Sequence, residues 1–135
     1  MLPKYHALYG AVFSLFVHIF AFPGYGVFAA IVVFLSTVFI DVDHYLFYVY
    51  KKADLSLVRA YYYFLKGGDH RLMIFHTIEF VLLLYLLSFY SKYFLFVIAG
   101  FLFHWGLDIY DMNKRGILKE RTYSLIHHLM TRDSA

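Results

Sequence analysis

Four apolar runs, joined pairwise by turns too short for anything but a helical hairpin, constrain this chain more than any other feature. They are roughly Tyr5 to Phe22, Val27 to Tyr50, Leu72 to Tyr90 and Phe94 to Tyr110. Each is close to, or longer than, the roughly 18 apolar residues that read as a lipid-crossing helix. Pro23-Gly24-Tyr25-Gly26 joins the first two, and Ser91-Lys92-Tyr93 joins the last two. None of the runs alternates apolar with polar residues, so a β-barrel fits poorly. Helices satisfy their own backbone groups in lipid. The expectation is therefore all-α: a polytopic four-transmembrane-helix bundle forming one domain over residues 1–135. Composition agrees, with 62 % hydrophobic and only 16 % charged residues and a mean hydropathy of +0.64. The chain has no cysteine, which removes disulfides, thiolate metal ligands and cysteine nucleophiles.

Charge sets the expected orientation. Lys4, the five Lys/Arg of the 51–71 segment and the five of the 111–135 tail lie on one side, and Lys92 alone on the other. The positive-inside rule then puts both termini and the long loop in the cytoplasm, with the chain multi-pass in the cell (inner) membrane. The net charge of +3 is explained by this flanking pattern, so no nucleic-acid partner is expected. The first run lacks a clear small-x-small cleavage site and is read as a retained span.

Two polar stretches have helical spacing. Asp54 is a candidate N-cap for a helix from Leu55 to Lys66, ended by Gly67-Gly68. Its mixture of Leu, Val and Tyr with Arg59 suits a helix lying at the interface between spans two and three. The tail from Ile117 to Met130 reads as a second amphipathic helix, on the cytoplasmic membrane surface or docked under the bundle.

The ionisable residues inside the runs fall at one depth. Counting inward from the outer turns at about 1.5 Å per residue, His6 is about 24 Å down, Asp41 about 22 Å and His76 about 21 Å. His104 and Asp108 are about 16 and 22 Å down by the same count. In a hydrocarbon core about 30 Å thick, that is one layer in the cytoplasmic half. His18, a turn or so from Pro23, lies outside it. His104 and Asp108 are an i, i+4 pair, while Asp41 with His44 and His76 with Glu79 are i, i+3 pairs, so each pair shares a helix face. Asp43 points about 160 degrees from the Asp41–His44 pair on a regular helix, unless the helix is unwound there.

Ionisable groups at membrane depth mark a functional site by default. Imidazole with carboxylate is a mixed N/O donor set suited to a divalent ion, zinc first, with manganese or iron as alternatives. The number of donors fits one ion with orienting carboxylates around it, or two adjacent ions. Asp41, His44, His76, His104 and Asp108 are the expected ligands, with His6 as a further one. Asp43 or Glu79 is the candidate general base or orienting carboxylate. Arg71 is the candidate donor to a phosphate or developing oxyanion. His127 and His128 read as surface residues of the tail.

The pattern resembles a known family. His6 in Tyr5-His6-Ala7-Leu8-Tyr9-Gly10, then Asp41-Val42-Asp43-His44, then His70-Arg71 with His76-Thr77, then Gly100-Phe101-Leu102-Phe103-His104 with Asp108 follow one another as in the YdjM-like inner-membrane proteins. The likeness runs from about residue 6 to 108. It implies a metal-dependent membrane hydrolase, of the group placed under LexA control in some bacteria. It also implies functional positions at His6, Asp41, Asp43, His44, His70, His76, His104 and Asp108. Thr77 stands where that pattern has Ser, Ile40 where it has Pro, and His70 and His76 are one residue further apart.

The combined expectation is a metal-dependent hydrolase acting on a phosphoester or lipid head group at the cytoplasmic leaflet. Its partners would be membrane lipid and a phospholipid-like substrate. An ion or metal transporter and a metal-stapled protein without turnover are the alternatives. The sequence leaves the oligomeric state open.

Overall fold

The computed structural model describes residues 3–21, 23–68 and 72–132. Among these the chain is helical, with no strand beyond an isolated bridge between Leu72 and Thr122. Helix α1 (Pro3–Phe16) runs into a π turn at Val17–Ala21. Helices α2 (Gly26–Phe39) and α3 (Val42–Lys52) follow with only Ile40 and Asp41 between them. Next come α4 (Leu57–Leu65), α5 (Ile78–Leu87), α6 (Tyr93–Arg115) and α7 (Leu125–Arg132). Helix α2 is central, packed between α1 and α6, and α5 lies on α6.

Two of the four apolar runs give helices long and apolar enough to cross a membrane: Gly26–Lys52, taken through its break, and Tyr93–Arg115. The first run is helical nearly throughout, as α1 and its π turn. The third departs from expectation. Instead of a helix from about 72 to 90, it forms only the ten residues of α5, preceded by a 3-10 turn at Ile74–His76. The cause is local. Thr77 is extended (φ −107, ψ 151), and its hydroxyl accepts the Phe80 N–H, which starts α5 there. Upstream, the Phe75 N–H is bonded to the Asp43 carboxylate instead of an intrahelical carbonyl. Downstream, the Ile78 N–H donates to the Tyr123 carbonyl.

Other boundaries also shift. The N-cap of α4 is Ser56, not Asp54: the Ser56 hydroxyl accepts from the Arg59 N–H. Asp54 instead gathers the Ser56 N–H, the Tyr48 hydroxyl and the Arg59 guanidinium, fixing the corner between α3 and α4. The arginine and these hydrogen bonds hold its carboxyl well below the usual range. Gly67 and Gly116, both with positive φ, end α4 and α6, in conformations that cost other residues more. The tail is not one helix from Ile117. A 3-10 turn at Leu118–Glu120 and an extended Arg121 precede α7. Docking under the bundle is what the tail does, through Thr122, Tyr123 and Glu79.

Close approach of three helices sets the position of everything polar. A Cβ added at Gly10 would lie 2.2 Å from the Thr37 hydroxyl oxygen, and one at Gly100 would lie 2.7 Å from Ser36 Cβ and from the Val33 carbonyl. Helices α1 and α6 therefore touch α2 backbone-close at one level, as small residues allow between membrane helices. One turn further inward, four residues on along each chain direction, stand His6, Asp41 and His104. The crossing thus delivers three polar side chains to one point. Ser36 and Thr37 bond back to the carbonyls of Val32 and Phe34, a habit that bends helices.

Candidate metal centre

The α2–α3 break is what brings both aspartates of Asp41-Val42-Asp43-His44 to the same site. In a regular helix Asp43 would face away. The Ile40 N–H still reaches the Ser36 carbonyl at 3.4 Å, but Asp41 lies outside both helices, and the Thr37 carbonyl, the acceptor a continuous helix would offer the Asp41 N–H, receives the His104 Nδ1–H at 2.8 Å. Asp43 is buried and accepts from His44 Nδ1 at 2.9 Å, His76 Nδ1 at 3.0 Å and the Phe75 N–H at 3.0 Å. It orients two histidines and a strand of backbone, which leaves it no room as a general base.

These bonds assign the imidazole tautomers. A carbonyl only accepts, so His104 carries its proton on Nδ1 and turns Nε2 inward. His76, bonded to the Asp43 carboxylate, does the same. Three inward atoms result: His6 Nε2, His76 Nε2 and His104 Nε2 are all buried and have no hydrogen-bond partner. They face carboxylates. His6 Nε2 is 3.2 Å from Asp108 Oδ1, and His104 Nε2 is 3.4 Å from Asp41 Oδ1 and 3.5 Å from Asp108 Oδ2. His76 Nε2 is 3.9 Å from Asp41 Oδ1 and 3.8 Å from Asp108 Oδ2. His44 Nδ1 reaches Asp41 Oδ1 at 3.4 Å, and His6 Nδ1 reaches Asp41 Oδ2 at 3.2 Å.

Two ligands about 2.0–2.2 Å from a four-coordinate ion would stand roughly 3.3–3.6 Å apart, and the His104 Nε2 separations of 3.4 and 3.5 Å from Asp41 and Asp108 fall in that range. Two groups meet the requirement for holding a metal ion, His6 with His104 and Asp108, and Asp41 with His44 and His76. Three carboxylates, Asp41, Asp43 and Asp108, share the site with one buried guanidinium, Arg121, which is bonded to Asp108. Buried charge needs a partner, and either protonated imidazoles or a divalent cation would supply one.

A cavity of about 580 Å³ opens onto the cluster. Its floor is His6, Asp41, His44, Asp108 and Arg121, and its apolar wall comes from α4, with Leu57, Ala60, Tyr61, Phe64 and Leu65. Asp41 and His44 are the open members, with 27 % and 16 % of their side chains exposed, while His76 and His104 are sealed.

The structure thus brings together His6, Asp41, Asp43, His44, His76, His104 and Asp108. Glu79 is not among them. Its carboxylate accepts from the Ser124 hydroxyl and from the Leu125 and Ile126 N–H groups, so it caps α7. The i, i+3 pairing with His76 fails because His76 sits in the turn before α5 begins. His70 and Arg71, expected as a ligand and an anion donor, lie outside the described residues. His127 is exposed and His128 partly so, as expected for tail residues. Sequence reasoning missed Arg121, which donates to Asp108 Oδ2 at 2.9 Å and is 7 % exposed. The available signal was Ser124, a good cap that starts a helix at Leu125 and so leaves Arg121 in the extended approach.

Comparison of the chain with family models, with curated proteins and with solved structures finds no match in any of the three.

Proposed function

We propose that this chain is a membrane-embedded, divalent-metal-dependent hydrolase of phosphoesters, its centre lying in the cytoplasmic leaflet. The observation that carries the reading is the convergence of three buried, unpartnered imidazole nitrogens on two carboxylates beneath a cavity. His6, His104, Asp108, Asp41, His44 and His76 would hold the metal, zinc first by its N/O donors, with one or two ions per chain. When bound, a divalent ion supplies Lewis acidity toward a phosphoryl oxygen. The chain's own groups do the rest. Asp43 and the Thr37 carbonyl fix the imidazole rings, and Asp41, the most open carboxylate, is placed to accept the proton of an attacking water. Arg121 orients Asp108 through its Nη1–H bond to Oδ2.

The membrane part of the reading rests on α2–α3 and α6, at about 40 and 35 Å long for an approximately 30 Å core, and on where apolar residues go. Only 33 % and 28 % of their most apolar stretches are buried. Leu8, Val12 and Leu15 on α1, Phe28, Ile31 and Leu35 on α2, and Leu82, Leu83 and Leu86 on α5 are exposed. We take α1 and α5 as the other two segments in lipid, with both termini cytoplasmic. The non-helical stretch before α5 is tolerable at depth because Met73, His76 and Thr77 are buried in protein. The YdjM-like resemblance points to the same reaction class.

The test is a panel of phosphomonoesters and phosphodiesters offered to the purified protein before and after chelation and zinc or manganese return. Turnover that vanishes on chelation and returns with metal is the expected outcome. Turnover indifferent to chelation, or none with any substrate in a metal-replete sample, contradicts the proposal.

A further inference from the structure

Arg121 is unusual in what it leaves undone. Its Nη1 is bonded to Asp108 and touches Met112 Sδ, yet Nε and Nη2 are buried with no partner at all. The side chain is more than nine-tenths buried and lines the cavity beside the metal-ligating cluster. A guanidinium loses several potential hydrogen bonds in that state, and unpaired buried donors are costly. Their geometry, two N–H groups in a rigid fork, matches a phosphate or phosphonate oxygen pair.

Much of the remaining lining is apolar: Leu57, Ala60, Phe64 and Leu65 of α4, with Met112 and Ile117. Helix α4 also exposes Val58 and Tyr62, which do not line this cavity, so one short helix carries apolar residues to the cavity and elsewhere on its surface. A small, fully hydrated phosphate would waste this wall. An anionic head on a hydrocarbon chain would use it, at about 0.8 kcal/mol per buried methylene.

We propose that the cavity binds a phosphate-bearing amphiphile, its anionic head on the Nε–H and Nη2–H groups of Arg121 that lack a hydrogen-bond partner and its chain along the Leu57–Leu65 wall. This rests on the hydrolase reading only for what then happens to the head group; recognition by Arg121 and α4 stands apart from it. The chemistry is shared by a lipid head group and by a soluble phosphoester, and chain length separates the two sources.

The probe is a pair of non-hydrolysable anions, ethylphosphonate and decylphosphonate, titrated onto the detergent-purified protein with Trp105 fluorescence and calorimetry as readouts. The wild type should bind decylphosphonate at least roughly tenfold more tightly than ethylphosphonate, after correction for partition into micelles. Arg121→Gln should weaken both by roughly ten- to a hundredfold. Leu57→Ser together with Leu65→Ser, at two exposed positions of the wall, should shrink the chain-length gain. Should Arg121→Gln fail to fold, Arg121→Lys keeps the charge beside Asp108 but not the fork, and should still lose most of the affinity. Equal affinity for the two chain lengths would overturn the amphiphile assignment and point to a soluble phosphoester. Unchanged binding in the folded Arg121 variant would overturn the role of Arg121. Metal content measured on the same samples keeps these results separate: a wild type that stays metal-free after exposure to zinc, manganese and iron yet still discriminates chain length sinks the hydrolase reading and leaves this one standing.

Discussion

The two ends of the α1–α2–α6 bundle are built from the same three helices by different physics. At the end near the Pro23–Tyr25 turn, Val17, Ala29, Val33 and Phe96 bury one another, with Phe13 and Val32 packed around them. That end closes by removing apolar surface from water or lipid. At the other end, one turn beyond Gly10 and Gly100, the same close approach brings in His6, Asp41 and His104. There three buried imidazole nitrogens lie 3.2–3.9 Å from the carboxylates of two aspartates. The difference teaches that the helix crossing is a shared device, which buries apolar side chains at one end and gathers groups that could hold a cation at the other.

The largest effect should come from the crossing itself. Gly100→Val puts a branched Cβ against the Val33 carbonyl and Ser36, where backbone cannot yield cheaply. Bound metal should be lost together with cooperative unfolding, as read by metal analysis and thermal melting in detergent. The outer-end counterpart, Phe96→Ala, should cost about 3–5 kcal/mol of stability and leave metal stoichiometry unchanged. If Phe96→Ala also emptied the site, the two ends would not be separable as argued.

Asp43→Asn should have the next effect. It keeps shape while weakening the hold on His44 and His76, so metal affinity should fall about 10–100-fold, with full occupancy recovered at higher metal. A smaller consequence is expected of Glu79→Ala. It removes the cap of α7, which should be seen as faster amide exchange in Leu125–Arg132 with metal content intact. Loss of metal there would restore Glu79 to the site.

Smallest of all is the pH response at the α3–α4 corner. The Asp54 carboxyl is depressed by Arg59 and its other donors, so its contribution is fully present above the unfolded value of about 3.9. That contribution fades only as pH falls below this value toward the folded one. Between pH 8 and 5 the corner should not change in amide exchange, and Asp54→Asn should abolish the change seen under more acid conditions.

How much of this was legible beforehand follows from which interactions are local. Apolar run length gave α2–α3 and α6, and counting along the helix placed His6, Asp41, His104 and Asp108 together, because rise per residue is a property of the helix alone; His76 joins them from a 3-10 turn that this count does not describe. Gly67 ended α4 for the same local reason. What depended on long-range hydrogen bonds was not visible. The lapse at Asp41 goes with His104 taking the Thr37 carbonyl, 67 residues away. The shortening of α5 depends on Asp43 and Tyr123, and Glu79 was misread because its partners lie in the tail. Arg121 stayed hidden among surface-like charges until the tail was seen to fold under the bundle.

The claim on which the rest depends is that a divalent ion sits among these residues. Elemental analysis of the purified wild type beside His76→Ala and Asp108→Ala measures it directly. At least one equivalent of divalent metal in the wild type, largely lost in both variants, is the predicted result. A wild type that remains metal-free after exposure to zinc, manganese and iron, or variants that keep the full complement, would contradict it.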